Sequence, residues 1–345
     1  MNNKIKVLIV DDSALIRLLL TEILSKDDEI EVVGAAEDPL EARDKIKRSN
    51  PDVITLDVEM PKMDGITFLS NLMRLRPMPV VMISTLTEKG ADITMKALEL
   101  GAFDFVAKPS VDVKDNLNQY SEEIISKVKT AARSNIGASS QNHTNSVSPS
   151  KSAVNNRFDI IAIGASTGGT EAIKRVVTEL PANLPPIVMA QHIPDVFSTS
   201  YAQRLDGLTD IKVIEVRESL ELMPGHAYLA PGDDHLYIYK KGSKYFANIK
   251  KSEKVNRHRP SVDVLFDSVA DVAGKRAIGA ILTGMGADGA RGLKKMKDTG
   301  AITIAQDEAS SIVWGMPGAA VAMDAVTKVL PLDKIASAFM RFISK

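Results

Sequence analysis

Apolar runs of five or six residues recur through the first part of the chain. Each is followed by a longer stretch whose apolar positions return at helical spacing. The runs fall at 5–10, 30–35, 52–56, 79–84 and 103–107. Short continuous runs suit strands buried on both faces, and amphipathic stretches between them suit covering helices. Their alternation predicts βαβ units around a parallel sheet. The pattern closes with a helix from about Val113 to Arg133. From Ser134 to Asn156 the chain is dominated by Ser, Asn, Thr and Lys and has no apolar periodicity, as expected of a flexible polar linker. Alternation then resumes, with strands predicted at 158–163, 187–191, 277–282 and 301–305 and a hairpin-like stretch from about 211 to 250. The expectation is an α/β chain of two domains. Residues 1–133 form a (βα)5 unit, and 157–345 form a doubly wound, mostly parallel domain with an antiparallel edge or hairpin.

Polar residues interrupt this pattern at the ends of the runs. Asp11 and Asp12 end the first, Asp57 follows the third, and Lys108 with Pro109 closes the fifth. In an open parallel sheet the carboxyl ends of the strands converge on one crevice. Several carboxylates and one ammonium there describe a site for a hard divalent cation and a phosphoryl group. Helix capping would explain any one aspartate, but not the set. The spacing resembles the response-regulator receiver family, with its flavodoxin-like fold. That resemblance implies Mg2+ as cofactor, and Asp57 as the acceptor of a phosphoryl group from a histidine kinase. It implies Asp12, Asp57 and the backbone carbonyl of Glu59 as metal ligands, with Asp11 beside them through water. Lys108 would pair with the phosphate and Ser84 would be the switch hydroxyl. Phe105 falls on the switch aromatic position, where many receivers carry tyrosine; it keeps a ring that turns inward but lacks the phenolic OH.

The second domain carries a different chemistry. Its first strand ends in Gly164-Ala165-Ser166-Thr167-Gly168-Gly169. Three readings compete for this turn: Ser166 as a plain N-cap, the loop as a dinucleotide phosphate cradle, or Ser166 as a nucleophile. His192 ends the next predicted strand, and the strand from Ala277 to Leu282 ends in Thr283-Gly284-Met285-Gly286-Ala287-Asp288-Gly289. Asp288 alone could be an N-cap. Three strands ending in Ser, His and Asp at one sheet edge favour a catalytic triad. Gly164 to Gly168 formally matches G-x-S-x-G, but an α/β-hydrolase has the order Ser, acid, His. Here no histidine follows Asp288. A dinucleotide site fits poorly as well, because the loop is not G-x-G-x-x-G and no ribose-binding acid stands near residues 190–192.

Together with the receiver pattern, the Ser166 turn, Gln191-His192-Ile193-Pro194 and the Thr283–Gly289 loop resemble the chemotaxis response-regulator protein-glutamate methylesterases, the CheB family. Pro224 to Gly232 and Val255 to Asp263 support the resemblance. It implies demethylation of glutamate methyl esters, and deamidation of certain glutamines, on the cytoplasmic helices of methyl-accepting chemoreceptors. It also implies the backbone N–H of Met285 as oxyanion donor and no cofactor for the esterase reaction. A receiver joined to an esterase further suggests a lid over the cleft until Asp57 is phosphorylated.

Composition narrows the field. The chain has 345 residues, no cysteine and a net charge of -1. Thiolate catalysis, disulfides and zinc-cysteine sites are excluded, and no basic footprint for nucleic acid is present. No run approaches the ~20 apolar residues of a membrane span, and no signal-peptide pattern opens the sequence, so a cytoplasmic protein without membrane insertion is expected. Two rival functions remain at this level: a phosphorylation-gated adaptor without catalysis, and a peptidase or small-ester hydrolase. Arg204 is either a charge at the cleft or a solvated surface arginine.

Overall fold

Each apolar run of the first domain becomes a strand, and the sheet they form is parallel throughout. A computed structural model describes residues 4–60, 64–108, 117–134 and 157–344, and the chain divides into two units, Met1–Gln141 and Asn142–Lys345. In the first, β1 (Ile5–Val10), β2 (Ile30–Ala36), β3 (Val53–Asp57), β4 (Val80–Ser84) and β5 (Asp104–Ala107) alternate with α1 (Ala14–Leu24), α2 (Pro39–Ser49), α3 (Gly65–Leu75), α4 (Glu88–Glu99) and α5 (Leu117–Arg133). The order β2-β1-β3-β4-β5 is flavodoxin-like. β3 and β4 are buried at every position, which is why their sequences read as unbroken apolar runs. Ser13, Asp38, Asp64 and Thr87 cap α1 to α4 with their side chains. Asp11, Asp12 and Asp57 are therefore not needed as helix caps. The first residues of the predicted last helix, 113–116, and the linker from 135 to 156 lie outside the described residues.

The second unit runs β6 (Ile160–Ala165), α6 (Gly169–Thr178), β7 (Ile187–Gln191), α7 (Asp195–Asp206), β8 (Lys212–Glu215), β9 (Leu220–Glu221), β10 (His226–Leu229), β11 (His235–Lys241), β12 (Lys244–Lys250), α8 (Val262–Ala273), β13 (Ala277–Ile281), α9 (Ala290–Asp298), β14 (Ile302–Gln306), α10 (Met316–Ala322), β15 (Lys328–Leu330) and α11 (Leu332–Ile343). Seven strands form one parallel sheet in the order β15-β14-β13-β6-β7-β10-β8, and β11, β12 and β9 form a separate antiparallel sheet. The hairpin-like stretch from 211 to 250 is thus divided between the two. His226-Ala-Tyr-Leu229 is almost wholly buried and joins the parallel sheet, whereas β11 and β12 keep several positions in water and pair antiparallel.

From β6 the chain moves to β7 on one side and later returns to place β13 on the other. The carboxyl ends of β6 and β13 therefore flank the point where the winding reverses, where α/β sheets open their crevice. Leu265, Phe266 and Val269 of α8 are fully buried in one core with Ile160 and Ala162 of β6, Val188 of β7 and Ile281 of β13. Among the described residues, no helix is long and apolar enough to cross a membrane. Because Phe266 fixes α8 to the sheet, Phe266→Ala is expected to cost about 3–5 kcal/mol, read as a lower denaturant midpoint in equilibrium unfolding.

Candidate active site

Ser166 follows β6 directly and is held through its backbone. Its N–H donates to Thr283 O at 3.0 Å, and its carbonyl accepts from Gly169 N–H at 2.6 Å and from Gln191 Nε2 at 2.8 Å. The turn is thus tied to the ends of both β7 and β13. Gly168, not Ser166, is the N-cap of α6, at φ 74, and the cap makes no side-chain hydrogen bond. A Cβ at 168 would lie 2.8 Å from Ile312 Cδ1, so glycine is required for space as well as for φ. Across the crevice, a Cβ on Gly284 would come within 2.8 Å of Ser166 Cβ. The β13 loop therefore runs hard against the serine. Thr283 braces the junction: its hydroxyl donates to Thr167 O at 3.0 Å and accepts from Val313 N–H at 2.9 Å.

His192 and Asp288 meet as the strand ends predict. His192 Nε2 lies 2.8 Å from Asp288 Oδ2. Asp288 does not cap the helix that follows it; that position is Gly289. Its carboxylate instead receives Asn256 Nδ2 at 2.7 Å, Ser261 Oγ at 2.8 Å, Val262 N–H at 2.6 Å and Asp263 N–H at 3.3 Å. The last two are backbone donors of the first turn of α8, at the positive end of its dipole. Burial would push this carboxyl up, but the hydrogen bond and charge of His192, with Asn256 and Ser261, outweigh it and hold it well below the usual carboxylate range.

With Nε2 committed to Asp288, the remaining His192 nitrogen, Nδ1, is buried and makes no hydrogen bond. The serine hydroxyl is therefore not engaged by the imidazole in this state, as is common before substrate closes a site. The Ser166 N–H is already spent on Thr283 and is not the oxyanion donor in this state. Met285 lies between Gly286 at φ 84 and Gly284, whose N–H donates to Val313 O and whose carbonyl accepts from Gly315 and Met316. Arg204 stands half-buried in the last turn of α7, nine residues and so about 13 Å along the helix from its start. Sequence reasoning did not single out Asn256, Ser261, Gln191 or Thr283. Their signal lay only in their nearness to the glycine-rich loops and in the 255–263 segment.

The first unit gathers its own charges. One oxygen each of Asp11, Asp12 and Asp57 lie within 4.8 Å of one another. Lys108 Nζ forms ion pairs with Asp11 Oδ2 at 3.0 Å and Asp57 Oδ2 at 2.8 Å. Both of those carboxylates are buried, and Lys108 serves the two of them. Burial, against the pull of Lys108 and reinforced by the Asp11 charge, pushes Asp57 up to about 6. Asp11 is raised as well, chiefly by burial. One half-buried ammonium for two buried carboxylates leaves net negative charge beside Asp12, a donor set that fits a hard divalent cation. Glu59 N–H donates to Asp57 Oδ1 at 3.3 Å, and Arg17 binds the carbonyls of Asp11 and Asp12. Ser84 turns away from this cluster: its hydroxyl receives Thr94 Oγ1 at 2.7 Å and lies 3.3 Å from Gly90 O. Phe105 is already buried, with Lys127 Nζ 5.3 Å from its ring centroid. In this structure the core holds the ring.

The depressed Asp288 carboxyl ties stability to pH. A carboxyl lowered on folding contributes fully above its unfolded value near ~4 and loses that contribution as pH falls through the folded value. Asp288→Ala, which strands His192, Asn256, Ser261 and the start of α8, is expected to cost about 3 kcal/mol at pH 7. Denaturation at several pH values should show the gap between wild type and variant shrinking only below about pH 4.

Residues 161–339 match the family model for CheB methylesterase, and residues 7–119 match that for the response regulator receiver domain. A Saccharophagus degradans protein named protein-glutamate methylesterase/protein-glutamine glutaminase 2 is 56% identical over 99% of this chain and 99% of its own. A relative from Hydrogenovibrio crunogenus, named protein-glutamate methylesterase/protein-glutamine glutaminase, is 48% identical over 99% of this chain and 100% of its own. The crystal structure of the Thermotoga maritima CheB methylesterase catalytic domain is similar at a TM-score of 0.53 and 38% identity, covering 54% of this chain and 99% of that one. The same chain thus carries both family signatures, over the two units that hold the two clusters, and it belongs to the CheB methylesterase family with an N-terminal response regulator receiver domain.

Proposed function

We propose that this chain is a phosphorylation-activated protein-glutamate methylesterase and protein-glutamine deamidase, acting on the cytoplasmic helices of methyl-accepting chemoreceptors. The observation that carries the reading is the buried His192–Asp288 pair at the reversal point of the sheet, beside the tied-down Ser166 turn. Ser166 Oγ attacks the side-chain carbonyl of the methyl ester while His192 Nδ1 takes its proton. His192 then returns a proton to departing methanol, or to ammonia when the substrate is glutamine. Asp288 holds Nε2–H and stabilises the imidazolium without being protonated, and its low pKa keeps it ionised throughout. The oxyanion is met by the N–H of Met285. Water activated by the same histidine frees the glutamate.

In the receiver, Asp57 accepts the phosphoryl group from a histidine kinase. Asp12, Asp57 and the Glu59 carbonyl, with Asp11 close by, would hold Mg2+. The ion supplies positive charge that neutralises the clustered carboxylates and the incoming phosphate. Lys108 pairs with the bound phosphoryl oxygen, and Ser84 leaves Thr94 and Gly90 to reach it. The proposed substrates and phosphodonor place the enzyme in the cytoplasm, with no part for nucleic acid or membrane insertion.

Methanol release from receptor membranes carrying labelled methyl esters tests the catalytic half. Ser166→Ala and His192→Gln should each lose several powers of ten, the double variant should be little worse, and Asp288→Asn should lose less. An adaptor without catalysis would leave biological output intact in Ser166→Ala. Retention of more than about a tenth of wild-type turnover by that variant would remove the nucleophile assignment.

The regulatory half is tested separately. Asp57→Ala should abolish the rise in turnover produced by a small-molecule phosphodonor with Mg2+ while leaving the unphosphorylated rate measurable. If the receiver covers the cleft, the fragment beginning near Asn155 turns over faster than the unphosphorylated whole chain; equal rates rule occlusion out.

A further inference from the structure

Val255 to His258 form a tight hairpin turn. Val255 N–H donates to His258 O at 3.1 Å, and His258 N–H to Val255 O at 2.9 Å. Both central residues are left-handed, Asn256 at φ 52 and Arg257 at φ 70, as a type I′ turn demands. Asparagine tolerates that conformation; arginine has no such ease. Strain of this kind persists where the surroundings enforce it, and it gathers at functional sites. The turn delivers two side chains to the acid–base pair. Asn256 Nδ2 bridges Asp288 Oδ1 at 2.7 Å and Asp263 Oδ2 at 2.8 Å. The His258 ring lies flat on that of His192, with centroids 3.8 Å apart and planes 8° from parallel.

A single hydrogen bond fixes where His192 Nε2 sits but not the tilt of the ring about it. Turning about the Nε2···Oδ2 line would swing Nδ1 away from the nucleophile with that bond intact. A flat ring pressed on one face blocks this rotation. It also occupies that face, so serine and substrate must approach from elsewhere.

We propose that His258 is a positioning residue for the esterase reaction, its stacked ring locking the plane of His192 so that Nδ1 stays aimed at Ser166, with the strained Val255–His258 turn built to hold it there. The inference deepens the catalytic reading above and rests on the Ser166, His192 and Asp288 assignment.

The test uses the full chain with His258→Ala, His258→Gln and His258→Phe, beside Ser166→Ala and His192→Gln. Two quantities are read: kcat and KM for methanol release from methylated receptor membranes, and the rate at which a fluorophosphonate labels Ser166. Labelling needs an activated serine but no receptor helix. His258→Ala and His258→Gln should lower kcat and the labelling rate together, roughly 10- to 100-fold as expected for a misaimed base, with KM little changed. His258→Phe, which keeps a flat ring on the same face, should stay within about threefold of wild type. A wild-type kcat in His258→Ala overturns the proposal. So does a loss confined to KM with normal labelling, which would make His258 a substrate contact, or a Phe variant as slow as Gln. If the Ala variant does not fold, the comparison of Phe with Gln decides alone. Turnover surviving in Ser166→Ala and His192→Gln would sink the triad reading itself, whereas their loss beside an unaffected His258→Ala sinks only the positioning role.

Discussion

The Asp288 carboxylate, seated on the first turn of α8, is the interaction on which the catalytic unit depends. A buried anion is costly unless every lone pair is answered. Here the answer comes from three separate parts of the chain: the imidazole after β7, the turn that carries Asn256, and Ser261 with the start of α8. One charge therefore fixes the position of the β13 loop, the entry of α8 and the histidine at once. The same contacts that stabilise the fold keep the acid ionised, which is what a base partner needs.

The receiver cluster solves the opposite problem. Its two buried carboxylates share one ammonium, so their charge is only half answered. Burial raises both carboxyls where hydrogen bonding lowers Asp288. Hydrogen bonds from several elements answer Asp288, whereas the receiver pair holds more negative charge than its one ammonium offsets. Both sites sit at the carboxyl ends of parallel strands, because there side chains from several strands reach one crevice while their backbones stay locked in the sheet. Regulation and catalysis in this chain use the same architectural position for chemistry of opposite electrostatic sense.

Much of this was written in the order of residues. Unbroken apolar runs fixed the parallel strands, because a strand covered on both faces has no polar side to show. Asp11, Asp12, Asp57 and Lys108 in one unit, and Ser166, His192 and Asp288 in the other, stand at or just beyond the end of such a run or in the loop that follows, so within each unit topology alone brought them to one sheet edge. What the pattern could not divide was the stretch from 211 to 250. Its short strands differ only in burial, and burial depends on what packs over them; β10 entered the parallel sheet and β11 with β12 did not.

Only the tertiary structure decided orientation. Which imidazole nitrogen faces the acid depends on where the loop after β13 comes to rest, and it left Nδ1 without a hydrogen bond. That Ser84 bonds Thr94 rather than Asp57, and that the Phe105 ring is buried, follows from the packing of α4 and α5 against the sheet. The stacking of His258 on His192 joins residues 66 positions apart through a turn whose left-handed backbone no periodicity announces. Sequence order determined which groups could meet, since strand ends converge. Distances, donors and ring planes were set by long-range packing, which couples residues that share no local pattern.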